Sequence, residues 1–523
     1  MKMLEIYNDK VIGSISGLDR IRFRGTIRWL ANELGIRSFL GRSNILLKDF
    51  EKWATDKTKF ITQSCNQQAS NLGIKTIYLR TGAIDKEKYV RQYADENNIK
   101  NGPICMLSVV EPCISPKISS NKETKKLEIH MITRKCKKFY LYFDDPDFGF
   151  GHVRLQTWLP MNIFINLNGR HWLEKQLIKN NIAYIKDRNS FPWIEDLDSA
   201  QKLLIDQLKT NWNSFLYNIS LSLCPDLNDI FNPLKMDYYW SADDTEWATD
   251  IMFKSKSELD KIYPSLLNYG MSISDSKSVL RYLGKSKITV SGKIQGILPN
   301  EIMSECRKRF EGMRLKHWVN SNSVKMYNKS GNLLRFETTI TKTREFKVFR
   351  KPENDDTKPE SWLKMRKGVA DIHRRCQISQ QSNNRYADSI SAAKIKNTIK
   401  EVTVDTCRRI SKKGKNYRAL NPWNMEDFKL LLFLVKGALS INGFKNKDFR
   451  EHLFGSTDKM NDKDKQYFSG KATRYIRLLR GHGLIRKVPK LNRYVLTEKG
   501  RTFSSSLVAV SSVDIEKLME IAI

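Results

Sequence analysis

The chain has 523 residues, of which 91 are Lys or Arg and 57 are Asp or Glu, so its formal net charge is +34. Hydrophobic residues make up 40% and aromatic residues 10%, which is enough apolar material for several packed cores and excludes a disordered basic tail. The composition predicts a protein of several domains whose excess positive charge suits a polyanion, with nucleic acid the first expectation.

The cysteines and the apolar runs restrict the class of protein further. The eight cysteines are scattered and form no CxxC pair, which argues against a structural zinc site. Since no secretory leader or secreted-scaffold spacing is recognised, we expect reduced thiols and a cytoplasmic protein. No apolar run reaches about 18 residues, so we expect no membrane span and no membrane partner.

Residues 1–165 are predicted to form an α/β domain, and their first basic segment is LDRIRFRGTIRWL. As a strand, this segment places Arg20, Arg22 and Arg24 on one face, where guanidinium groups can grip phosphates. As a helix, it would line one side with arginines instead. We take the three arginines as candidates for nucleic-acid contact, and pairing with acidic neighbours is the alternative.

The rest of this domain alternates strands and helices. IKTIYLR and GPICMLSVVEP are predicted strands on either side of the helix DKEKYVRQYADENN, an order that indicates a parallel strand pair. KKFYLYFDD and GHVRLQTWL are predicted to form a hairpin through the turn that separates them.

Two further regions are predicted to be largely helical. In residues 166–232, NGRHWLEKQLIKNN has the helical period, and DLDSAQKLLIDQLKTNWNSFLYNISLSL predicts one longer helix that begins with capping aspartates. Residues 353–420 are assigned to a charged, proline-containing linker followed by another helical stretch.

Residues 233–352 are predicted to form a β-rich domain. The strand-like runs are EWATDIMFK, RLKHWVN, SVKMYNK and NLLRFETTI, with a turn at NKSG between the last two. The combined run SVKMYNKSGNLLRFETTI is similar to a strand-turn-strand segment of some plasmid and phage replication initiators, in which an R-x-E strand follows a Y-x-K strand.

This likeness and the alternation of side chains along strands make Tyr327, Glu337 and Asp250 candidate catalytic residues. On this hypothesis, Asp250 and Glu337 hold Mg²⁺ or Mn²⁺ while Tyr327 attacks a phosphate. No other cofactor is expected. The alternative is a salt bridge from Glu337 to Arg335 or another neighbouring cation, with Tyr327 a half-buried sheet residue. The paired histidines of rolling-circle nickases are absent from the sequence.

Residues 421–523 contain the most informative segment, GKATRYIRLLRGHGLIRKVPKLNRYVLTEKGR. Ala472, Ile476 and Leu479 have the spacing of one buried helical face, and the glycines that follow are predicted to end the helix. Two short strands and the start of another helix are predicted next. The candidate contacts to nucleic acid are Lys471, Arg474 and Arg477 for a groove and Arg486, Lys487 and Arg493 for the phosphate backbone.

This segment resembles the second half of a MarR-type winged helix-turn-helix, with its GLI-R and LTEKGR motifs. Upstream, MEDFKLLLFLVKGAL and NGFKNKDFREHLFG are expected to supply the earlier helices. The whole chain also resembles uncharacterised bacterial proteins, some of them MarR-like, that are associated with mobile elements. The resemblance implies a winged helix that docks on duplex or structured nucleic acid, and docking on protein is the alternative.

The sequence therefore predicts a multidomain α/β and α+β protein with a C-terminal winged helix-turn-helix domain. Its expected function is multivalent binding of nucleic acid, either DNA or structured RNA, in a mobile-element context. The alternatives are a metal-dependent DNA-nicking enzyme of replication or transposition and a transcriptional regulator. No particular oligomeric state is predicted.

Overall fold

The structure is a computed structural model, and it divides into two compact units that each combine distant segments of the chain. The first unit comprises Met1–Ser14, Thr249–Thr338 and Ile378–Ile523, and the second comprises Ile15–Ala248 and Thr339–Gln377. The structure describes residues 1–231, 236–285, 287–288, 294–295, 301–309, 312–352, 357–391, 399–412, 414–436, 443–455, 461–489, 491–511 and 513. Several predicted positions lie outside the described residues, among them 232–233, 353–356, 392–398, 437–439, 442 and 490.

The second unit is built on a mixed sheet. In hydrogen-bonded order its strands are Val11–Thr26 (from Ile15 onward), Ile163–Asn168, Gly149–Gln156, Leu127–Asp145, Gly102–Ser120 and Thr76–Leu79. Thr76–Leu79 runs parallel to Gly102–Ser120, and the other neighbours in this order are antiparallel. The parallel pair and the hairpin of Leu127–Asp145 with Gly149–Gln156 confirm the sequence predictions.

The strand Val11–Thr26 resolves the two interpretations of LDRIRFRGTIRWL in favour of a strand. Ile21 and Phe23 are buried, with 1% and 0% exposure, while the alternate residues Arg20 and Arg22 are exposed. This alternation is the side-chain period of a strand with one face on a core.

Helices and small hairpins complete the second unit. Its α-helices are Glu33–Arg42, Phe50–Asn71, Lys86–Glu96, Gly169–Lys179, Leu197–Asp206, Trp212–Leu223 and the first part of Ile372–Ile390. Its 3₁₀ helices are Arg28–Ala31, Leu47–Asp49, Gln207–Lys209, Pro225–Ile230, Thr343–Glu345 and Val369–Asp371. Its two-stranded hairpins pair Tyr184–Asp187 with Ser190–Ile194 and Lys347–Arg350 with Ser361–Lys364. The second unit also contains the first part of the strand Tyr239–Phe253, as far as Ala248.

The single long helix predicted from DLDSAQKLLIDQLKTNWNSFLYNISLSL is wrong, because the chain interrupts it after Lys209. Asn211 lies in a non-helical conformation, and its side chain accepts a hydrogen bond from the Ser214 amide at 3.3 Å. Asparagine is a strong helix N-cap, so this residue starts the second helix, Trp212–Leu223, instead of continuing the first.

The first unit contains an antiparallel meander beside a long helix. In hydrogen-bonded order its strands are Ile302–Arg309, Gly312–Val319, Asn322–Lys329, Leu333–Ile340 (to Thr338) and Tyr239–Phe253 (from Thr249). These bounds confirm the four predicted strand-like runs. Ser330 and Gly331 have φ angles of 55° and 84°, the left-handed backbone of a tight turn, so the predicted turn is confirmed as well.

Two separate hydrophobic cores support the first unit. The helix Lys256–Ile273 buries Leu259 and Leu266 in the same core as Ile251 and Phe336 of the strands. The other elements around this core are Lys2–Ile6, Ser276–Tyr282 and the end of Ile372–Ile390. The first unit also contains the short pair Lys287–Ile288 with Ile294–Gln295.

The second core of this unit lies in the C-terminal part and includes Leu430, Phe449, Ile476 and Phe503. The elements in this part are Ile399–Val404, Ile410–Lys412, Lys415–Tyr417, Met425–Leu434, Asn446–Phe454, Asp462–Gly481, Ile485–Lys487, Tyr494–Leu496 and Glu498–Val510. The chain is thus a multidomain mixture of α and β structure, as predicted at that level. Among the described helices, none has the length and apolarity needed to cross a membrane.

Candidate functional site

The helix Asp462–Gly481 is oriented by its cap and by one apolar face. The side chain of Asn461 accepts a hydrogen bond from the Asp464 amide at 2.8 Å, which satisfies a free N–H group of the first turn. Ala472, Ile476 and Leu479 are 0%, 3% and 0% exposed, so the predicted buried face is confirmed. Burying a side chain such as Ile476 or Leu479 stabilises a fold by roughly 2 kcal/mol, and this packing decides which face of the helix remains outside.

The outward face of this helix carries uncompensated positive charge. Arg474 and Arg477 are exposed, and neither forms an ion pair or hydrogen bond with any residue that the structure describes. Residues 461–501 contain twelve Lys and Arg against three Asp and Glu, a net charge of +9. An arginine without a carboxylate partner keeps both its full charge and its five N–H donors available to a ligand.

A two-stranded hairpin follows the helix and adds to the same charge. Ile485–Lys487 pairs antiparallel with Tyr494–Leu496, and the Val488 amide donates to the Arg493 carbonyl at 2.9 Å. The predicted strands are therefore confirmed. Arg486 and Lys487 are exposed and have no ion pair within the described part of the chain, whereas Arg493 is half-buried.

Lys471 differs from the two arginines on its helix because it has an acidic partner. Its Nζ lies 3.1 Å from a carboxylate oxygen of Glu426, and the Tyr475 hydroxyl donates to the other oxygen at 2.9 Å. The hydrogen bond to Glu426 raises the pKa of Lys471, and the bonds from Tyr475 and Lys471 lower the pKa of Glu426. Lys471 thus anchors Glu426 as much as it offers charge to a ligand.

A groove of about 610 Å³ opens along the exposed face of this helix. Its other wall is the hairpin of Ile410–Lys412 with Lys415–Tyr417, followed by Arg418. Arg418 grips Asp427 with two nitrogens, at 2.7 and 2.6 Å. The residues that line the groove are Lys415, Asn416, Tyr417, Arg418, Glu426, Lys471, Arg474, Tyr475, Arg477 and Leu478.

Sequence reasoning missed this second wall. The run CRRISKKGKNYR shows its charge in the sequence, but its role depends on Gly481, where an added Cβ would lie 2.4 Å from the Tyr417 ring. The signal that predicts the hairpin itself is Gly414 between lysines, and this glycine has a φ of 70°. No local pattern indicates that Tyr417 packs on the distant helix.

The predicted N-terminal arginine row lies on a strand face, as expected, but carboxylates of Tyr239–Phe253 neutralise it. All three arginines reach an acidic side chain in the second unit, which is the alternative interpretation of this segment. The pairs, with their N–O distances, are Arg20 with Glu246 at 2.8 Å, Arg22 with Asp244 at 2.5 Å and Arg24 with Asp243 at 2.7 Å.

The structure brings Tyr327 and Glu337 together inside the first unit. The Tyr327 hydroxyl donates to a Glu337 oxygen at 2.9 Å, and the Lys325 ammonium lies 2.6 Å from the other oxygen. Burial raises the pKa of Glu337, but the charges of Lys325 and Arg335 and the hydrogen bonds from Lys325 and Tyr327 outweigh it and lower the pKa to about 2. Glu337 is therefore ionised and held by Lys325, whose side chain is 12% exposed.

Asp250, the second predicted carboxylate, forms its own buried pair. Arg335 donates to both of its oxygens, at 2.5 and 2.8 Å, and both side chains are 0% exposed. Each of the two carboxylates proposed as metal ligands is thus already neutralised by a basic side chain. A divalent cation bound by Asp250 and Glu337 would have to displace those partners, which weakens the case for a metal centre made of this pair.

Comparison of the chain with protein-family models, with curated proteins and with solved structures found no match in any of the three.

Proposed function

We propose that the C-terminal part of the first unit binds nucleic acid in the manner of a winged helix. The observation that carries the proposal is the set of exposed cations without described partners, Arg474 and Arg477 on the helix and Arg486 and Lys487 on the hairpin that follows it. Proteins seldom leave so much like charge uncompensated on adjoining elements, because the charges repel one another unless a polyanion neutralises them.

The geometry supports a groove contact by the helix and a backbone contact by the hairpin. Arg474 and Arg477 are three residues apart on one helix and therefore share a face. An α-helix fits the major groove of B-form DNA, where an arginine fork can bind a guanine edge with two hydrogen bonds. Arg486 and Lys487 supply the phosphate contacts that fix the register of the helix, with Lys471 and Arg493 at the margins.

Duplex DNA is the partner that this arrangement favours. The major groove of an A-form RNA helix is deep and narrow, so a helix cannot read it unless a bulge widens the groove. Structured RNA is therefore an outcome of the test. The formal charge of +34 supports further, weaker contacts elsewhere, but Arg20, Arg22 and Arg24 would each have to leave a carboxylate partner before contributing to them.

The test compares duplex binding by the wild type and by the double variant Arg474→Ala/Arg477→Ala, measured by fluorescence anisotropy. Each arginine that binds a base edge or a phosphate contributes roughly 1–3 kcal/mol, so we expect the variant to bind at least about tenfold more weakly. The control is Arg91→Ala, which also removes an exposed arginine but one that Glu87 pairs at 2.8 Å.

Equal affinity of the double variant and the wild type for duplex DNA would contradict the proposal and move this region to a protein-contact role. A bulged RNA hairpin should be measured in parallel. If the double variant loses affinity only for that RNA, this surface still binds nucleic acid, but its partner is structured RNA instead of duplex DNA.

A second candidate function, DNA strand nicking, is favoured by the hydrogen bond from Tyr327 to Glu337. A phenol must lose its proton to attack a phosphate, and an adjacent carboxylate and ammonium are groups that such a step requires. The case is weaker because Tyr327 is 7% exposed and Glu337 is already committed to Lys325. Supercoiled DNA incubated with Mn²⁺ and the wild type should show nicks that Tyr327→Phe abolishes, and intact DNA in both would remove this candidate.

A further inference from the structure

The second unit contains an aromatic groove of about 540 Å³ that the duplex-binding proposal does not use. Its walls carry two arginines, an exposed tryptophan and two tyrosines, over a floor that includes Ile27 and Phe39, which are 1% and 2% exposed. The side chains that offer positive charge or an aromatic ring on these walls are Arg28, Trp29, Arg42, Tyr238 and Tyr239.

Trp29 is held at the rim of this groove by its backbone. It belongs to the 3₁₀ helix Arg28–Ala31, and the chain then turns at Asn32, whose side chain accepts a hydrogen bond from the Gly35 amide at 2.8 Å. An added Cβ at Gly35 would lie 1.8 Å from the Trp29 carbonyl oxygen, so the glycine permits this approach. Trp29 is nevertheless 47% exposed, so a large aromatic surface remains accessible.

Both arginines of the groove lie against aromatic rings. The Arg28 guanidinium is 3.5 Å from the ring centre of Tyr239, and the Arg42 guanidinium is 5.0 Å from that of Trp29. Neither arginine forms an ion pair with any residue that the structure describes, including Asp237, the acid among the lining residues. Stacked guanidinium groups keep their edge N–H donors available for phosphate oxygens.

The two tyrosines, Tyr238 and Tyr239, are held in place and also line a second groove. The Tyr238 hydroxyl donates to the Met161 carbonyl at 2.9 Å, and Gly368 leaves space for the Tyr239 hydroxyl, which an added Cβ would approach to 2.4 Å. A neighbouring groove of about 490 Å³ shares Asp237, Tyr238 and Tyr239 with the first. The two grooves therefore adjoin at these three residues.

We infer that this groove binds single-stranded nucleic acid, with a base stacked on Trp29 and the flanking phosphates held by Arg28 and Arg42. Aromatic rings stack on any base, and basic side chains beside them follow the backbone, which is how non-sequence-specific single-strand sites are built. The inference goes beyond the proposed function, because its ligand is a single strand and its residues are distinct from those of the duplex-binding surface.

The experiment uses two probes, a blunt duplex and a single-stranded oligonucleotide that carries 2-aminopurine. We expect wild-type protein to bind the single strand and to quench 2-aminopurine by stacking. Trp29→Ala should abolish the quenching and weaken single-strand binding by about fivefold to a hundredfold, while its affinity for the blunt duplex stays unchanged. Trp29→Phe, which keeps a smaller ring, should retain part of the single-strand affinity.

The matched control is Trp362→Ala, which removes another exposed tryptophan, 64% accessible, that packs against Phe349 outside this groove. It should behave as the wild type. Quenching that is absent in the wild type, or that survives in Trp29→Ala, would overturn the inference and leave the duplex proposal intact. Quenching that Trp29→Ala abolishes would support the inference even if the blunt duplex is not bound.

Discussion

The molecule presents arginines on two surfaces that look alike in the sequence and differ in their partners. On the N-terminal strand, Arg20, Arg22 and Arg24 alternate along one face, and each lies within 2.8 Å of a carboxylate of Tyr239–Phe253. On the C-terminal helix, Arg474 and Arg477 share a face, and neither arginine has an acidic partner among the described residues. The difference lies in neighbours that are remote in the sequence, since Arg20 and Glu246 are 226 positions apart.

Charge compensation thus separates the roles of basic residues in this chain. A cation paired with a carboxylate holds two elements together, and a ligand must displace that carboxylate before it can bind the cation. An uncompensated cation contributes little to stability and is available to a polyanion. Substitutions at paired and at unpaired cations should therefore have different effects. Buried ion pairs are the extreme case of a cation committed to its partner.

The largest expected effect is on stability, at the buried Glu337. Glu337→Gln removes the charge that balances Lys325 at 2.6 Å and leaves an ammonium that is only 12% exposed without its charged partner. Because breaking a buried pair in this way costs about 3–5 kcal/mol, the free energy of unfolding measured in urea should fall by that amount.

The control for this change is Glu305→Gln, at a carboxylate that is 29% exposed and lies 2.8 Å from Arg307 and 4.0 Å from Arg309 and Arg314. Solvent screens this partly exposed cluster, so the variant should lose less stability than Glu337→Gln. A loss at Glu337 no larger than that at Glu305 would show that the buried network does not stabilise the fold.

A somewhat smaller effect should appear on acidification. The folded-state pKa of Glu337 is lowered from 4.5 to about 2, so its stabilising contribution is fully present above about pH 4.5 and is lost as the pH falls through about 2. At about 1.4 kcal/mol per unit, the loss is on the order of 3 kcal/mol. The difference in unfolding free energy between the wild type and Glu337→Gln should shrink over this window, and a constant difference would contradict the assignment.

An intermediate effect is expected on sequence selectivity. Arg474→Ala should reduce the preference of the protein for its selected duplex by roughly 1–3 kcal/mol, because a base contact discriminates between sequences. Arg493→Ala, at the half-buried position of the hairpin, should weaken binding to all duplexes alike. Selection of duplexes by the wild type followed by competition with unselected DNA measures both, and a uniform loss in Arg474→Ala would place that arginine on the backbone.

The smallest effect should come from releasing an arginine of the N-terminal row. Asp244→Asn removes the charge opposite Arg22 while keeping an oxygen for the Thr341 hydroxyl, which donates to Asp244 at 2.8 Å. The freed guanidinium should strengthen duplex binding by less than about 1 kcal/mol, whereas Arg22→Ala in the wild type should change little. A marked loss in Arg22→Ala would show that this row binds nucleic acid despite its partners.

Local patterns predicted the secondary elements better than they predicted partners. The strand period placed Arg20 and Arg22 on an exposed face, and the helical period placed Ile476 and Leu479 in a core. Both signals depend only on neighbouring residues. The prediction of one long helix after residue 196 is wrong because it follows the apolar period and neglects the tendency of Asn211 to cap a new helix.

Those local patterns did not predict contacts between segments that are distant in the sequence. Nothing near Glu337 in the sequence distinguishes Lys325 from Arg335 as its closest cation, and the pairing of Arg335 with Asp250 requires the register of the sheet. The aromatic groove depends in the same way on Arg28 meeting Tyr239, residues that only the fold brings together.

The dependence of duplex affinity on salt tests the central claim most directly. Each phosphate neutralised by a free cation contributes about −0.9 to the slope of log K against log salt concentration. We predict a slope steeper than about −3 for the wild type, and a slope shallower by about three to four when Arg474, Arg477, Arg486 and Lys487 are all replaced by alanine. An unchanged slope in that quadruple variant would contradict the claim that these uncompensated cations are the nucleic-acid contacts.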